Sequence, residues 1–383
     1  MKRILTLLGL AIAGVAAFGQ ALPAPEIAAR EYLLVDMNAG QVLAERGADT
    51  VVDPASLTKL MTAYIVFVQL KEHKLALEQK LPVSPRARAE RKGGRSLMFI
   101  DTTMTPSVDD LLQGLVVDSG DDAAVALAEG VGGSVDAFVA MMNRQAQAWG
   151  LKNTAFRNVT GLAEAGQRST ARDMAAIAQH IVRDFPEYYH YYSQRDYTFN
   201  NIRQDNGNLL LKRDPSVDGM DTGVTDAAGY SLLASAQRDF PNGKRRLMVV
   251  VMGADSTQGR ANETQKLLNW GFTAFDAVRL VEAGKPIGPL VPVWKGTAAQ
   301  VGLGSAEAIY VAVPKGEGDR LKTQVERIDP LVAPLARGQR VGSLKVVTAS
   351  GTAIATIPLT VLEEVPQAGL FGRAWDAIRL WIK

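Results

Sequence analysis

Hydrophobic positions recur along this chain with two different periods. Tyr32-Leu33-Leu34-Val35-Asp36 and Gln41-Val42-Leu43-Ala44-Glu45 read as short strands around Asn38-Ala39-Gly40, a hairpin signal. Leu57, Leu60, Met61, Tyr64 and Val68 then predict a helix with one apolar stripe. From Val108 to Phe185 short periodic stretches broken by Gly130, Gly132-Gly133 and Gly150 predict a helical region. The glycines at 130–133 follow no strand, so they read as a turn and not as a phosphate loop. After Tyr188 the pattern is strand-like: Val217 to Gly223, Gly229 to Ala236, and the continuous apolar run Leu247 to Met252, which suits a buried strand. Pro286 to Pro292 reads as a linker, and the alternating stretches Ala308 to Val313 and Val341 to Val347 beyond it predict a small β domain.

The two ends carry signals of their own. Lys2 and Arg3 precede an apolar run from Ile4 to Phe18, and Gly19-Gln20-Ala21 offers small residues for cleavage, so residues 1–21 read as an export signal. The run is short for an uncleaved membrane anchor. At the other end, Phe371, Ala374, Trp375, Ile378, Trp381 and Ile382 share one face of a predicted helix. That helix is roughly 20 Å long against a bilayer core of about 30 Å, so it reads as an anchor lying in the membrane interface, with docking on its own protein as the alternative.

Composition narrows the chemistry. With 383 residues, 47% hydrophobic and 21% charged, the chain has length for two globular domains, and a net charge of +2 gives no argument for nucleic acid. No cysteine is present, which excludes thiol catalysis, thiolate metal sites and disulfides. His73, His180 and His190 are widely spaced, so neither a zinc site nor a histidine triad is expected, and a lysine becomes the more plausible partner for a nucleophile. The basic segment Ser84 to Arg95, with Arg86, Arg88, Arg91, Lys92 and Arg95, reads as a solvated loop in preference to one facing substrate.

Such a lysine occurs in Asp53-Pro54-Ala55-Ser56-Leu57-Thr58-Lys59. Asp53 suits an N-cap and Pro54 the first helical position, which sets Ser56 and Lys59 one turn apart. The apolar stripe leaves Lys59 at the edge of a core, where partial desolvation lowers its pKa and fits it as a base towards a serine hydroxyl. A capped helix with a surface serine and lysine gives the same spacing, so the rest of the chain must decide. Ser119-Gly120-Asp121 lies at a predicted helix junction and fits either a cleft or a cap, and Gly223 allows a ligand close to the backbone.

The order Ser-x-x-Lys, Ser-x-polar, then x-Thr-Gly on a strand resembles the penicillin-recognising serine acyltransferases. Within them the chain is similar to the low-molecular-mass penicillin-binding proteins that act as D-alanyl-D-alanine carboxypeptidases, the DacA-like group. Ser169 to Met174, Val217 to Met220, Thr225 to Tyr230 and Lys266 to Phe272 extend the likeness over nearly the whole chain. The resemblance implies an α/β penicillin-binding/β-lactamase-like transpeptidase fold, an antiparallel sheet flanked by helices, at 22–283. A small all-β domain at 284–365 and an amphipathic anchor helix at 366–383 would follow. It implies Ser56 as nucleophile, Lys59 as general base and Ser119 as proton relay to the leaving amine. Asp121, Asp221, Thr222 and Gly223 fall at substrate-binding positions, and the Ser56 N–H with a strand N–H would form the oxyanion hole. No cofactor or metal is implied. The expected partners are a peptidoglycan pentapeptide substrate, β-lactams as covalent inhibitors and a membrane surface, at the periplasmic face of the inner membrane.

Three positions depart from that family. Asp121 stands where asparagine is usual, Asp221 where lysine is usual, and Gly207, between Asn206 and Asn208, where an arginine is frequent. The two aspartates together remove about three units of positive charge from the pocket for the substrate's terminal carboxylate, and like charges about 4 Å apart cost about 4 kcal/mol at an effective dielectric near 20. Asp121 is also expected to pair with Lys59 and hold it protonated. Three readings follow: an active carboxypeptidase, a weakened relative that binds cell wall or a partner at the membrane, and a hydrolase whose substrate offers Asp221 a neutral or cationic end.

Overall fold

The computed structural model describes residues 23–92, 96–241, 243–349 and 351–381. The predicted export signal, Arg95 and Ile382 lie outside the described residues. The chain parts into two compact units at Phe275/Asp276.

The first unit opens with the expected hairpin, β1 (Glu31–Asp36) and β2 (Gln41–Arg46). Helices α1 (Lys59–Lys71), α2 (Pro85–Ala89), α3 (Val108–Val117), α4 (Asp121–Gly132), α5 (Val135–Ala148) and α6 (Ala171–Asp184) follow. A small hairpin, β3 (Asp196–Phe199) and β4 (Ile202–Asp205), and the short α7 (Leu210–Arg213) lead into β5 (Val217–Thr225), β6 (Gly229–Phe240), β7 (Gly243–Ala254) and α8 (Thr257–Ala274). The main sheet has the order β2-β1-β7-β6-β5, antiparallel at every step, with β5 at an edge.

Leu247 to Met252 is apolar without a break because both faces of the sheet are covered. Alternate side chains of a strand point to opposite faces. Met248, Val250 and Met252 join the large core shared with α1 and α3 to α6, while Leu247, Val249 and Val251 pack with Leu267, Leu268 and Phe272 of α8. Helix α1 is ringed by α3, α4, α5 and α6. Every residue from Lys59 to Phe67 is therefore buried, and the single stripe expected from sequence gives way to burial all round.

The described part of the basic segment, residues 84–92, is helical and not an open loop. The Ser84 hydroxyl accepts from Ala87 N at 3.0 Å to cap α2, a 3-10 turn Glu90–Lys92 follows, and Arg88 and Arg91 pair with Asp101. The glycine turn falls at Gly133, whose φ of +74° closes α4; Gly130 lies within the helix, against Leu81.

Among the described residues the second unit is all-β apart from one 3-10 turn and its last helix. It contains β8 (Phe275–Val281), β9 (Val291–Trp294), β10 (Gln300–Val301), β11 (Leu303–Gly304), β12 (Ile309–Pro314), β13 (Lys322–Arg327), β14 (Leu331–Val332), β15 (Arg340–Val347) and β16 (Ala353–Val361). They form sheets β11-β16-β15-β13, β10-β9-β14 and β8-β12. Residues 286–292 lie inside this unit: Pro286 bridges to Gly304 and Val291 opens β9. Helix α9 (Leu370–Trp381) is tied to the unit by Lys295 N, which donates to Asp376 Oδ2 at 2.7 Å. The apolar face of α9 is uncovered, with Phe371 95% and Trp381 89% exposed. Among the described residues no single helix is long and apolar enough to cross a membrane.

Candidate active site

Two glycines allow three chain segments to close around Ser56. Asp53 Oδ1 accepts from Ala55 N at 2.9 Å, and Pro54, not Asp53, caps a 3-10 turn Ala55–Thr58 that runs into α1 at Lys59. Opposite this turn, Gly161 has φ +86°, and a Cβ there would stand 1.9 Å from the Ala55 carbonyl oxygen. A Cβ on Gly223 would lie 3.2 Å from both Ala55 Cβ and Ser56 N, so β5 passes directly beside the serine backbone. Only glycine meets both the left-handed φ and the close approach at position 161.

The Gly161 loop also fixes Lys59. Asn158 Oδ1 accepts from Gly161 N at 2.8 Å, and the Thr62 hydroxyl donates to the Val159 carbonyl at 2.8 Å. This places the Thr160 carbonyl 2.8 Å from Lys59 Nζ as an acceptor. Asp121 Oδ1 stands 2.7 Å from the same nitrogen, with the two side chains 2% and 3% exposed. Lys59 is thus fully inside the fold, deeper than the edge position its sequence suggests, and a buried charge of this kind persists because it is paired and hydrogen-bonded.

Ser119 sits at the junction of α3 and α4 with φ +62°, and its buried Oγ has no hydrogen-bond partner among the described residues. An orphaned buried hydroxyl costs about 1–3 kcal/mol; those of Thr58, Tyr192, Ser231 and Thr264 are orphaned too, and Ser119 stands out among them by lining the same cleft as Ser56. The preceding Asp118 accepts from Gln204 Nε2 at 2.9 Å; burial, with the Asp122 charge beside it, pushes its pKa up to about 7. Asp122 accepts from Met98 N at 2.8 Å and Ile100 N at 3.1 Å, and burial raises its pKa.

On β5, Asp221 is 8% exposed and its Oδ1 accepts from Thr222 N at 2.7 Å. Burial pushes its pKa up to about 7 against the opposing charges of Lys59 and Arg260. Arg260, from α8, donates through Nη1 to the carbonyls of Gly223 (3.0 Å) and Ser231 (3.2 Å). Gly207 faces Thr222, with a Cβ there falling 2.9 Å from the threonine hydroxyl oxygen.

A cleft of about 170 Å³ joins these groups; Ser56, Ser119, Asp221, Thr222, Gly223 and Arg260 are among its lining residues. The structure therefore brings together five of the seven candidates at the cleft surface, and places the other two, Lys59 and Asp121, as a buried pair in the same region. Sequence reading does not single out Arg260, Asp118 or the Thr160 carbonyl. Arg260 is one arginine on a helix 37 residues beyond Gly223, and only the tertiary fold turns it into the cleft. Among the described residues no group of three or more His, Asp or Glu side chains is arranged to hold a metal ion.

A serine hydroxyl, a buried amine one turn away, a second hydroxyl unpartnered among the described residues and a strand at the sheet edge form an arrangement suited to acyl transfer. A family model described as D-alanyl-D-alanine carboxypeptidase matches residues 19–256, and one described as penicillin-binding protein 5, C-terminal domain, matches 275–367. The chain belongs to the D-alanyl-D-alanine carboxypeptidase family. It is 42% identical over 368 residues to D-alanyl-D-alanine carboxypeptidase DacC of Escherichia coli, covering 94% of this chain and 90% of the relative. Penicillin-binding protein 5 from Haemophilus influenzae superposes with a TM-score of 0.85 at 42% identity, covering 90% of this chain and 100% of that one. A penicillin-binding protein from Listeria monocytogenes, solved with ampicillin bound, matches with a TM-score of 0.59 at 30% identity over 66% of this chain and 100% of its own. This carboxypeptidase is thus a serine peptidase by family, and its fold is the helix-flanked antiparallel sheet followed by an all-β domain that the resemblance implies.

Proposed function

We propose that Ser56 attacks the carbonyl between the last two D-alanines of a peptidoglycan stem peptide laid along the free edge of β5. The Ser56 Oγ–carbonyl bond forms, the C–N bond to the terminal residue breaks, and water then hydrolyses the ester to release the shortened peptide and regenerate the serine. Lys59 takes the serine proton. For that it must first be neutral, and Asp121 Oδ1 at 2.7 Å is placed to take the proton it gives up; in a buried pair this transfer removes both charges from a low-dielectric site. The Ser119 hydroxyl passes a proton to the leaving amine, and the Ser56 N–H with a β5 N–H holds the oxyanion. The observation that carries the reading is that Ser56 and Ser119, whose buried hydroxyl is unpartnered among the described residues, line one cleft with Thr222 and Gly223 of β5.

Release of D-alanine from diacetyl-L-lysyl-D-alanyl-D-alanine at pH 6 tests this: the parent releases it and Ser56→Ala does not, whereas equal release by both would sink the assignment. The same nucleophile opens β-lactams, a step supported by the ampicillin-bound relative. The uncovered face of α9 supports attachment to the periplasmic face of the inner membrane after export. Truncation before Gly369 is expected to move the protein to the soluble fraction; an unchanged membrane-bound fraction would refute that role. A second reading, a weakened member that holds cell wall without cutting it, draws on the Lys59–Asp121 ion pair and predicts a folded chain that releases no D-alanine.

A further inference from the structure

The charges on the cleft wall run against an anionic ligand. Among the described residues, Asp118, Asp205 and Asp221 line it with a single guanidinium, that of Arg260. Nη1 of that guanidinium is bound to two backbone carbonyls, and its charge is offset by the neighbouring Asp221. Asp205 is partly neutralised at the surface by Lys212, at 3.0 Å. Asp221 is held differently: Thr222 N fixes its Oδ1, and its Oδ2 has no hydrogen-bond partner among the described residues. The other groups facing it are Lys59, already paired with Asp121, and the buried ring of Tyr192.

The position of Ser56 sets which end of a substrate meets Asp221. The serine lies beside Gly223, so a peptide along β5 has Thr222 and Asp221 on one side of the scissile bond and Val224 and Thr225 on the other. Asp221 and Thr222 line the 170 Å³ cleft, which reaches along β5 as far as Val224 and is also lined by Ser119, the residue proposed to protonate the leaving amine. Past Val224 the surface opens into a region of about 410 Å³ bordered by Arg30, Asp226, Tyr230 and Asp255. A space for one small residue suits the leaving end, and the larger surface suits the long acyl side.

We propose that Asp221 selects substrates whose leaving residue ends in an N–H donor without negative charge, a carboxamide or an ammonium, in place of a free carboxylate. This rests on the acyl-enzyme reading above. The chemistry is unchanged: the ester on Ser56 forms as the C–N bond breaks, the leaving amine gains the proton relayed by Ser119, and water closes the cycle. Only the far end of the departing residue differs, donating to Asp221 Oδ2 where a carboxylate would be repelled.

The test compares kcat/KM of the full chain at pH 8 for three peptides: diacetyl-L-lysyl-D-alanyl-D-alanine, its C-terminal carboxamide and its 2-aminoethylamide. At least one of the two uncharged or cationic peptides is expected to exceed the acid by about tenfold or more. The carboxamide leading identifies hydrogen bonding as the selector, and the 2-aminoethylamide leading identifies charge. Asp221→Asn should level the ratio and Asp221→Lys invert it, with thermal melts showing that each variant is folded. Ser56-dependent cleavage that favours the free acid in the parent, or a ratio untouched in both variants, overturns the inference while the carboxypeptidase reading stands. No Ser56-dependent cleavage of any of the three removes the reading beneath it, and the inference with it.

Discussion

Two ion pairs in the first unit, Lys59–Asp121 and Arg245–Asp36, close at 2.7 and 2.6 Å, and all four side chains are at most 3% exposed. Their surroundings differ. Asp36 Oδ1 accepts from Asn38 N and Ala39 N at 3.0 Å each, and Arg245 Nη1 donates to the Phe275 carbonyl at 2.9 Å with Phe240 beneath the guanidinium. That pair ties the β1–β2 turn to β7 and the end of α8. Lys59 has one further acceptor, the Thr160 carbonyl, and lies one turn from a cleft where a hydroxyl is unpartnered and two carboxyls are pushed up to about 7. One orphan atom does not separate the pairs, because Arg245 Nη2 also lacks a partner. The difference is that Ser119 itself lines a cleft, among perturbed carboxyls, a combination that suits chemistry where burial alone suits structure.

The sharpest way to break this contrast is to disable both cations. Lys59→Met is expected to lower the rate of acylation by benzylpenicillin by about 10²–10⁴-fold, the usual contribution of a general base. Arg245→Met should leave that rate unchanged in the folded fraction, yet lower stability by about 3–5 kcal/mol by stranding Asp36. Denaturant unfolding and single-turnover acylation on both variants read the two quantities, and slow acylation in a folded Arg245→Met would erase the distinction.

A smaller effect concerns Asp221. Its folded-state pKa, about 7, is raised above the unfolded value of 3.8, so the native state binds the proton more tightly. The stability linked to that proton is complete below about pH 4 and is lost as pH rises through about 7. The melting temperature of Asp221→Asn relative to the parent should therefore climb between pH 4 and pH 8; a difference that does not change with pH would show that the carboxyl is not held neutral by burial.

Where local periodicity decides structure, the sequence is readable. The β1–β2 hairpin, the helices between Val108 and Asp184 and the strands β5 to β7 follow from spacing and turn residues. The motif residues Ser56, Ser119, Asp221, Thr222 and Gly223 do meet on one cleft. Depth is what spacing hides. The stripe of α1 carries no sign that four helices surround it, so Lys59 reads as an edge residue and lies at 2% exposure. Pro286 to Pro292 looks like a linker because it is rich in turn residues, yet long-range pairing takes it into the β unit. Arg260 is invisible for the same reason, since its place depends on α8 packing against the sheet.

Acylation of Ser56 is the step on which the proposed chemistry depends. Intact mass after incubation of the mature chain with benzylpenicillin at pH 6 should show one penicilloyl adduct on the parent and none on Ser56→Ala. A folded parent that stays unlabelled, or a Ser56→Ala variant that still takes the adduct, would contradict it.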